Sequence, residues 1–453
     1  MKKFDFKYLL QETGWKENIT VETDVNGIIT SIYQAKDSLN SNNIALPGFQ
    51  NAHSHAFQYA MAGLAEYHPT GNSSDDFWSW RNSMYQLALQ IDPKDLESIA
   101  SMLYTEMIRH GYTHVAEFHY LHHDKNGKPY SNLSEMGASL IQAAQNAGIN
   151  ITLIPIFYQK GGFGKEPIKD QIRFISSNLE DYLKLYNSSF DSCKHYKNAA
   201  IGMGIHSMRG VECNQIIELS KIRNGNTPFH IHIAEQIKEI EDCIDFLNTR
   251  PVEWLAENIE LSENYHLVHA THLIDTEIHK IAKSNANVVL CPSTEGNLGD
   301  GLFPLKKYLE LKGNWSIGTD SHVGLNPLEE IRLLDYGQRL ITHQRDTFSN
   351  SNCGDSGFNA IKTSLISGRK AMGNFNSSFF EIGTPLNALV VSNAHPLITS
   401  SSPENLCNTL IYSSDNSMLK GTIVNGDLII NEGVHENEIT TNFLNTIQKL
   451  KFR

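Results

Sequence analysis

The 453-residue chain is short of positive charge: 37 Lys and Arg stand against 50 Asp and Glu, leaving a net charge of −13. That balance argues against a nucleic-acid partner, which would need clustered basic residues to neutralise phosphates. Cysteine is scarce as well. The six thiols, Cys193, Cys213, Cys243, Cys291, Cys353 and Cys407, lie far apart and at a density too low for a secreted disulfide scaffold, so a cytoplasmic setting is expected. No run approaches the roughly 18 apolar residues of a membrane-spanning helix, and Met1-Lys2-Lys3-Phe4-Asp5-Phe6 has no continuous apolar signal core, so no membrane association is expected. No internal repeat is found.

Histidine, by contrast, is abundant, with twenty in the chain. Many fall at the ends of apolar runs. Pro47-Gly48-Phe49-Gln50-Asn51-Ala52-His53-Ser54-His55 places two imidazoles two residues apart, and on a strand such residues point to the same side. Alone, a His-x-His match is weak. Its weight depends on partners further along the chain.

Eight short β-rich runs recur between amphipathic stretches: Ala45 to His53, Thr113 to Tyr120, Ile151 to Tyr158, Ala200 to His206, Pro228 to Glu235, Tyr265 to His272, Asn287 to Pro292 and Trp315 to Asp320. Helices are expected over Pro93 to His110, Ser134 to Ala147 and Pro327 to Leu340, the first two stopped by Gly111 and Gly148. Eightfold strand–helix alternation predicts an α/β fold, a (β/α)8 TIM barrel, whose chemistry sits at the strand C-termini. Asn18 to Glu22 and Gly27 to Ile32, with Asn387 to Val391 and Gly421 to Ile430, read as strands of a small β-sandwich built from both chain ends. The expected division is 1–45 and 386–453 for the sandwich and 46–385 for the barrel. The Ser-, Asn- and Gly-rich stretch from Thr347 to Phe358 reads as a surface loop.

The strand ends carry His53, His55, Tyr120, His206, His232, Glu235, His269 and Asp320. Imidazoles and carboxylates in a barrel strand are costly to bury unless ligated or hydrogen-bonded. His53, His55, His232 and Asp320 together supply three nitrogens and a carboxylate. This set suits one Zn²⁺ with an open position, although Fe²⁺ and Mn²⁺ accept the same ligand types. The fourth strand ends Gly204-Ile205-His206-Ser207-Met208-Arg209, without a lysine to bridge a second metal. Asp320 can then take a proton from an activated water, Glu235 can carry it to a leaving nitrogen, and His269 can polarise the attacked carbon's substituent or assist proton transfer. The chemistry expected is hydrolytic deamination.

These motifs, with Phe57-Gln58, Phe77-Trp78-Ser79-Trp80-Arg81, Glu117-Phe118-His119-Tyr120, His232-Ile233-Ala234-Glu235-Gln236, Cys291-Pro292-Ser293-Thr294-Glu295-Gly296-Asn297 and Gly318-Thr319-Asp320-Ser321-His322, resemble the amidohydrolase superfamily. Within its mononuclear deaminase branch they are similar to the formimidoylglutamate deiminase family of histidine degradation. The resemblance covers about residues 46 to 340. It implies N-formimino-L-glutamate as substrate, N-formyl-L-glutamate and ammonia as products, zinc as the usual metal, and a homodimer. It also implies that Gln58, Arg81, Tyr120, His206 and Arg209 bind the substrate. The residue types agree, since guanidinium forks pair bidentately with the carboxylates of a dicarboxylate. Tyr59 replaces a common arginine of the family, and Gly210 a common alanine.

Several side chains have plainer readings. His230 is expected to be a hydrogen-bonded core residue and Cys291 a buried thiol; His114, His122 and His123 are expected at the surface or supporting the site. His272 and His322 stand beside site residues and could orient a ligand. Trp78 and Trp80 fit a pocket wall or a loop anchor equally well. The competing functions are a guanine- or cytosine-type nucleobase deaminase, disfavoured by the paired arginines, and a silent amidohydrolase-like scaffold, disfavoured by the complete ligand set. A dipeptidase-like activity would call for a second metal bridge.

Overall fold

The computed structural model describes residues 1–35, 41–64, 66, 77–349, 354–430 and 437–451. Eight parallel strands run in sequence order: Phe49–Ser54, Tyr112–His119, Asn150–Phe157, Met203–Ser207, Phe229–Ile233, Tyr265–His269, Asn287–Leu290 and Asn314–Ile317. The fifth, sixth and seventh are buried at every position, as expected of strands enclosed by helices. A single parallel bridge, Ser54 to Asp320, brings the end of the eighth strand back to the first and closes the barrel.

The helices owe their limits to local chemistry. Pro93–Arg109 starts with a reciprocal capping box between Asp92 and Asp95, Glu135–Ala147 stops at left-handed Gly148, and Pro327–Thr342 is capped by the Asn326 side chain. Among the described helices, none is long and apolar enough to cross a membrane.

Both chain ends build a second sheet of seven strands, in the order Asp427–Ile430, Leu419–Val424, Ala388–Ser392, Asn43–Pro47, Lys2–Gln11, Gly14–Thr23 and Ile29–Gln34. Only the pair Lys2–Gln11 with Asn43–Pro47 is parallel. This is the small sandwich domain beside the barrel.

Two expected strands are broken. The run from Ala45 to His53 divides at Gly48: residues up to Pro47 pair with Ala388–Ser392, and residues from Phe49 enter the barrel. A Cβ at Gly48 would stand 2.2 Å from the Thr113 side chain, so glycine permits the close crossing. The run from Ala200 to His206 is likewise split, into Ala199–Ile201 and Met203–Ser207. Of the expected loop from Thr347 to Phe358, residues 350–353 lie outside the described residues. Thr347 and Phe348 are buried instead of exposed, Phe348 stacking on Trp315 at 5.3 Å, and a helix begins at Ser356.

Candidate metal centre and facing cavity

The imidazoles of His53 and His55, at the end of the first strand, and of His232, on the fifth, converge through their Nε2 atoms. The three separations are 3.1 Å (His53 to His55), 3.3 Å (His55 to His232) and 3.0 Å (His232 to His53). Nitrogens held about 2.0–2.1 Å from one zinc at near-tetrahedral angles lie about 3.0–3.4 Å apart, so the donor set fits a single ion. Asp320 adds Oδ1, 3.2 Å from His55 Nε2 and 3.5 Å from His53 Nε2.

The ring protons are placed by the backbone. His55 Nδ1 donates to the Phe118 carbonyl at 3.0 Å and His232 Nδ1 to the His206 carbonyl at 2.9 Å. A carbonyl can only accept, so both Nε2 lone pairs face the centre. Burial pushes His53 down to about 3 and lowers His55 and His232 too, which keeps all three rings neutral and able to ligate.

Asp320 is aimed by its surroundings. Asn51 clamps the neighbouring Thr319, donating Nδ2 to Thr319 Oγ1 at 2.7 Å and accepting the Thr319 N–H at 3.0 Å. His322 Nδ1 meets the same Oγ1 at 2.9 Å. Asp320 and His322 both lie in the left-handed region, at φ 46° and 67°, which turns the chain sharply beside the ligand.

His269, also left-handed at φ 67°, lies next to the centre. Its Nε2 is 3.7 Å from both Glu235 Oε1 and Asp320 Oδ2, and its Nδ1 is 3.2 Å from Glu295 Oε1. Burial opposes a charge on this ring, but Glu235, Glu295 and Asp320 hold its pKa up to about 10. Glu235 is raised by burial to about 7, with His269 and Arg209 pulling the other way. Its carboxyl is therefore poised to give and take a proton near neutrality.

The opposite wall of the same cavity is cationic. The Arg81 guanidinium lies 4.4 Å over the Trp78 ring and 5.5 Å over Tyr85, and its Nε has no hydrogen-bond partner among the described residues. Arg209 Nη1 stands 3.6 Å from Glu239 Oε2; burial works against its charge, but Glu239 and Glu235 keep its pKa raised. Gln58 Nε2 donates to the Tyr120 hydroxyl at 3.0 Å and leaves Oε1 without a partner among the described residues. His206 packs on Tyr158 with ring centres 4.3 Å apart, and burial beside Arg209 lowers its pKa well below the usual range.

Thus His55, Gln58, Arg81, Tyr120, His206, Arg209, His232, Glu235, His269 and Asp320 all line one cavity, and His53 sits just beneath it. Trp80 lines the cavity as well, whereas Trp78 carries the Arg81 guanidinium. His230 bonds the Ala371 carbonyl at 3.0 Å as a core residue, and burial raises the Cys291 thiol. His122 is not at the surface: only 1% exposed, it bonds the Ile156 carbonyl at 3.0 Å and packs 4.8 Å from the His119 ring.

Sequence reasoning missed the carboxylates that support the site. Glu117 accepts from Ser54 Oγ and the Ala56 N–H, both at 2.6 Å, and from the Tyr104 hydroxyl at 3.0 Å, pinning the turn that carries His55. Glu239 receives the N–H groups of Ala234 and Glu235, each at 3.3 Å. Each of the two is fully buried, an unusual cost that only the folded chain makes visible.

A profile of the amidohydrolase family matches residues 44–429. The chain belongs to the amidohydrolase family. A formimidoylglutamate deiminase of Pseudomonas aeruginosa is 37% identical over 442 residues, covering 96% of each chain. A 5-methylthioadenosine/S-adenosylhomocysteine deaminase of Pyrococcus furiosus is 24% identical across 90% of this chain and 89% of its own. In structure, an amidohydrolase from Brucella melitensis matches with a TM-score of 0.92 at 34% identity, each chain covered in full. An adenosine deaminase from Xanthomonas campestris shares the fold, with a TM-score of 0.82 at 16% identity over 100% and 98% of the two chains. In this amidohydrolase one further metal-capable group appears among the described residues, His269 with Cys291 and Asp320, and it shares Asp320 with the main cluster.

Proposed function

We propose that this amidohydrolase converts N-formimino-L-glutamate and water into N-formyl-L-glutamate and ammonia. One observation carries the reading: a His₃Asp cluster able to hold one metal ion, with the buried Glu235 carboxyl beside it, faces two partly buried guanidinium groups, Arg81 and Arg209, across a single cavity. A formimino group and a dicarboxylate present that pairing in reverse. The near full-length similarity to a formimidoylglutamate deiminase supports the same substrate.

His53, His55, His232 and Asp320 would hold the metal, and three imidazoles with a carboxylate favour zinc. A divalent ion there supplies Lewis acidity, which makes water nucleophilic near neutral pH. Asp320, whose Oδ2 lies 3.7 Å from His269 Nε2, accepts the proton of the attacking water. The water oxygen adds to the formimino carbon. Glu235 then protonates the terminal nitrogen, the carbon–nitrogen bond breaks, and ammonia leaves. His269, charged between Glu235 and Asp320, stabilises the negative charge that develops on oxygen. Arg81 and Arg209 take the substrate carboxylates, with Gln58, Tyr120 and His206 as neutral partners along the chain of the ligand.

The decisive assay incubates the zinc-loaded protein with N-formimino-L-glutamate and measures ammonia and N-formyl-L-glutamate. Stoichiometric release of both is expected. Turnover of guanine or cytosine without release from the formimino compound would overturn the proposal.

A further inference from the structure

Beyond the arginines, the cavity wall holds two phenols whose hydrogen-bond direction is forced by a residue remote from the chemistry. Gln171 is 1% exposed, and its Oε1 accepts the Ile168 N–H at 2.9 Å. A backbone N–H can only donate, so the amide oxygen must face it and the NH₂ must face the other way. That NH₂ donates to the Tyr158 hydroxyl oxygen at 2.8 Å and to the Tyr85 hydroxyl oxygen at 3.2 Å.

Each phenol oxygen is thereby engaged as an acceptor while keeping its own O–H to donate. Among the described residues no carbonyl or carboxylate receives either proton, and at most one phenol can donate to the other. At least one O–H is left for the cavity that both rings line together with Arg81 and Arg209. The place is distal to the metal centre: the His206 ring packs 5.2 Å from His232, and Tyr158 packs on His206 a further ring outward.

Taking the substrate to be the dicarboxylate proposed above, we infer that the Tyr85–Tyr158 pair forms a donor subsite for its distal carboxylate, with Gln171 as the positioning residue that occupies both phenol oxygens as acceptors and so leaves at least one O–H to donate to the ligand. Arg81 supplies the charge at this end, its guanidinium 5.5 Å over the Tyr85 ring. The phenols supply direction, and with it selection for a carboxylate over an apolar chain end.

Calorimetric titration of the full-length, zinc-loaded protein with N-formyl-L-glutamate and with N-formyl-L-norvaline, which lacks the distal carboxylate, tests the subsite without requiring turnover. Tyr158→Phe should weaken N-formyl-L-glutamate binding about tenfold to a hundredfold and leave the norvaline compound unchanged, with zinc content intact. Gln171→Glu, which turns the residue into an acceptor and draws the phenol protons inward, should reproduce that selective loss. Equal weakening of both ligands by Tyr158→Phe, no weakening, or a wild-type protein that fails to prefer N-formyl-L-glutamate overturns the inference. Tyr158→Phe decides alone if Gln171→Glu does not fold. Absence of ammonia release from N-formimino-L-glutamate by the wild type, with the binding preference preserved, would instead strike the proposed reaction and leave the subsite standing.

Discussion

Ser54 and Asp320 form the parallel bridge at which the barrel closes, and each has a metal-ligand candidate as neighbour or is one. The His55 N–H donates to the Asp320 carbonyl at 3.2 Å, and the Asp320 N–H to the His53 carbonyl at 3.0 Å. Closure of the fold and assembly of the metal centre are therefore the same event. A change that loosens the seam should release the metal before it unfolds the helices.

Gly318 is the sharpest probe of that seam. A Cβ there would stand 2.8 Å from His53 Cβ and 3.0 Å from both Cys291 Sγ and His53 N. Gly318→Ala must push His53 aside, and zinc affinity is expected to fall about tenfold to a hundredfold. Competition with a chromophoric chelator measures it; unchanged affinity would show that the seam yields elsewhere.

Glu235→Gln removes the proposed proton carrier without touching a candidate metal ligand. The rate constant kcat should fall about 10²- to 10⁴-fold while metal content stays at the wild-type level. Metal analysis alongside the rate separates this outcome from damage to the centre.

Arg209→Ala should act on binding. KM for the dicarboxylate is expected to rise at least about tenfold, with metal content unchanged. Loss of metal in this variant would mean that Arg209 supports the centre and not the far wall.

Glu117→Ala strands three donors, Ser54 Oγ, the Ala56 N–H and the Tyr104 hydroxyl, in a fully buried place. Denaturant unfolding should show a loss of about 2–4 kcal/mol. Glu117→Gln keeps an acceptor and should recover part of it.

Glu330 sets a pH dependence away from the metal. Burial pushes its carboxyl up to about 7, although the Ser293 N–H and hydroxyl favour the ionised form. Unfolded, it would titrate near 4.3. The folded state thus holds the proton more tightly, so this group's stabilising contribution is full below about pH 4 and is lost as pH rises through 7. Glu330→Gln cannot ionise, and its stability relative to wild type should grow between pH 5 and pH 8, by up to about 3 kcal/mol. A pH-independent difference in melting temperature contradicts this.

Much of the site was legible because barrel geometry gathers strand ends, so His53, His55, His232, His269 and Asp320 could be read from position alone. The cationic wall was legible through residue type, Arg81 and Arg209 standing out in an acidic chain. The supports were not. Glu117, Glu239, Glu295 and Gln171 matter through direction and burial, which no spacing encodes, and Glu117 sits inside a run that otherwise reads as an ordinary strand. The division at Gly48 was hidden for a similar reason, since Ile44-Ala45-Leu46 is equally apolar whether it continues into the barrel or pairs with the other sheet.

That strand, Asn43–Pro47, has Ile44, Ala45 and Leu46 fully buried, and its antiparallel neighbour is Ala388–Ser392. During synthesis the neighbour emerges some 340 residues later, roughly 20–70 s at ordinary translation speeds. For that interval the nascent chain carries an unpaired apolar edge, a template for sticking to other chains. The first barrel strand waits in the same way for Asn314–Ile317, and the terminal sheet is sealed later still, when translation is nearly over. Expression at lower temperature or with a holdase chaperone should therefore raise the yield of folded protein.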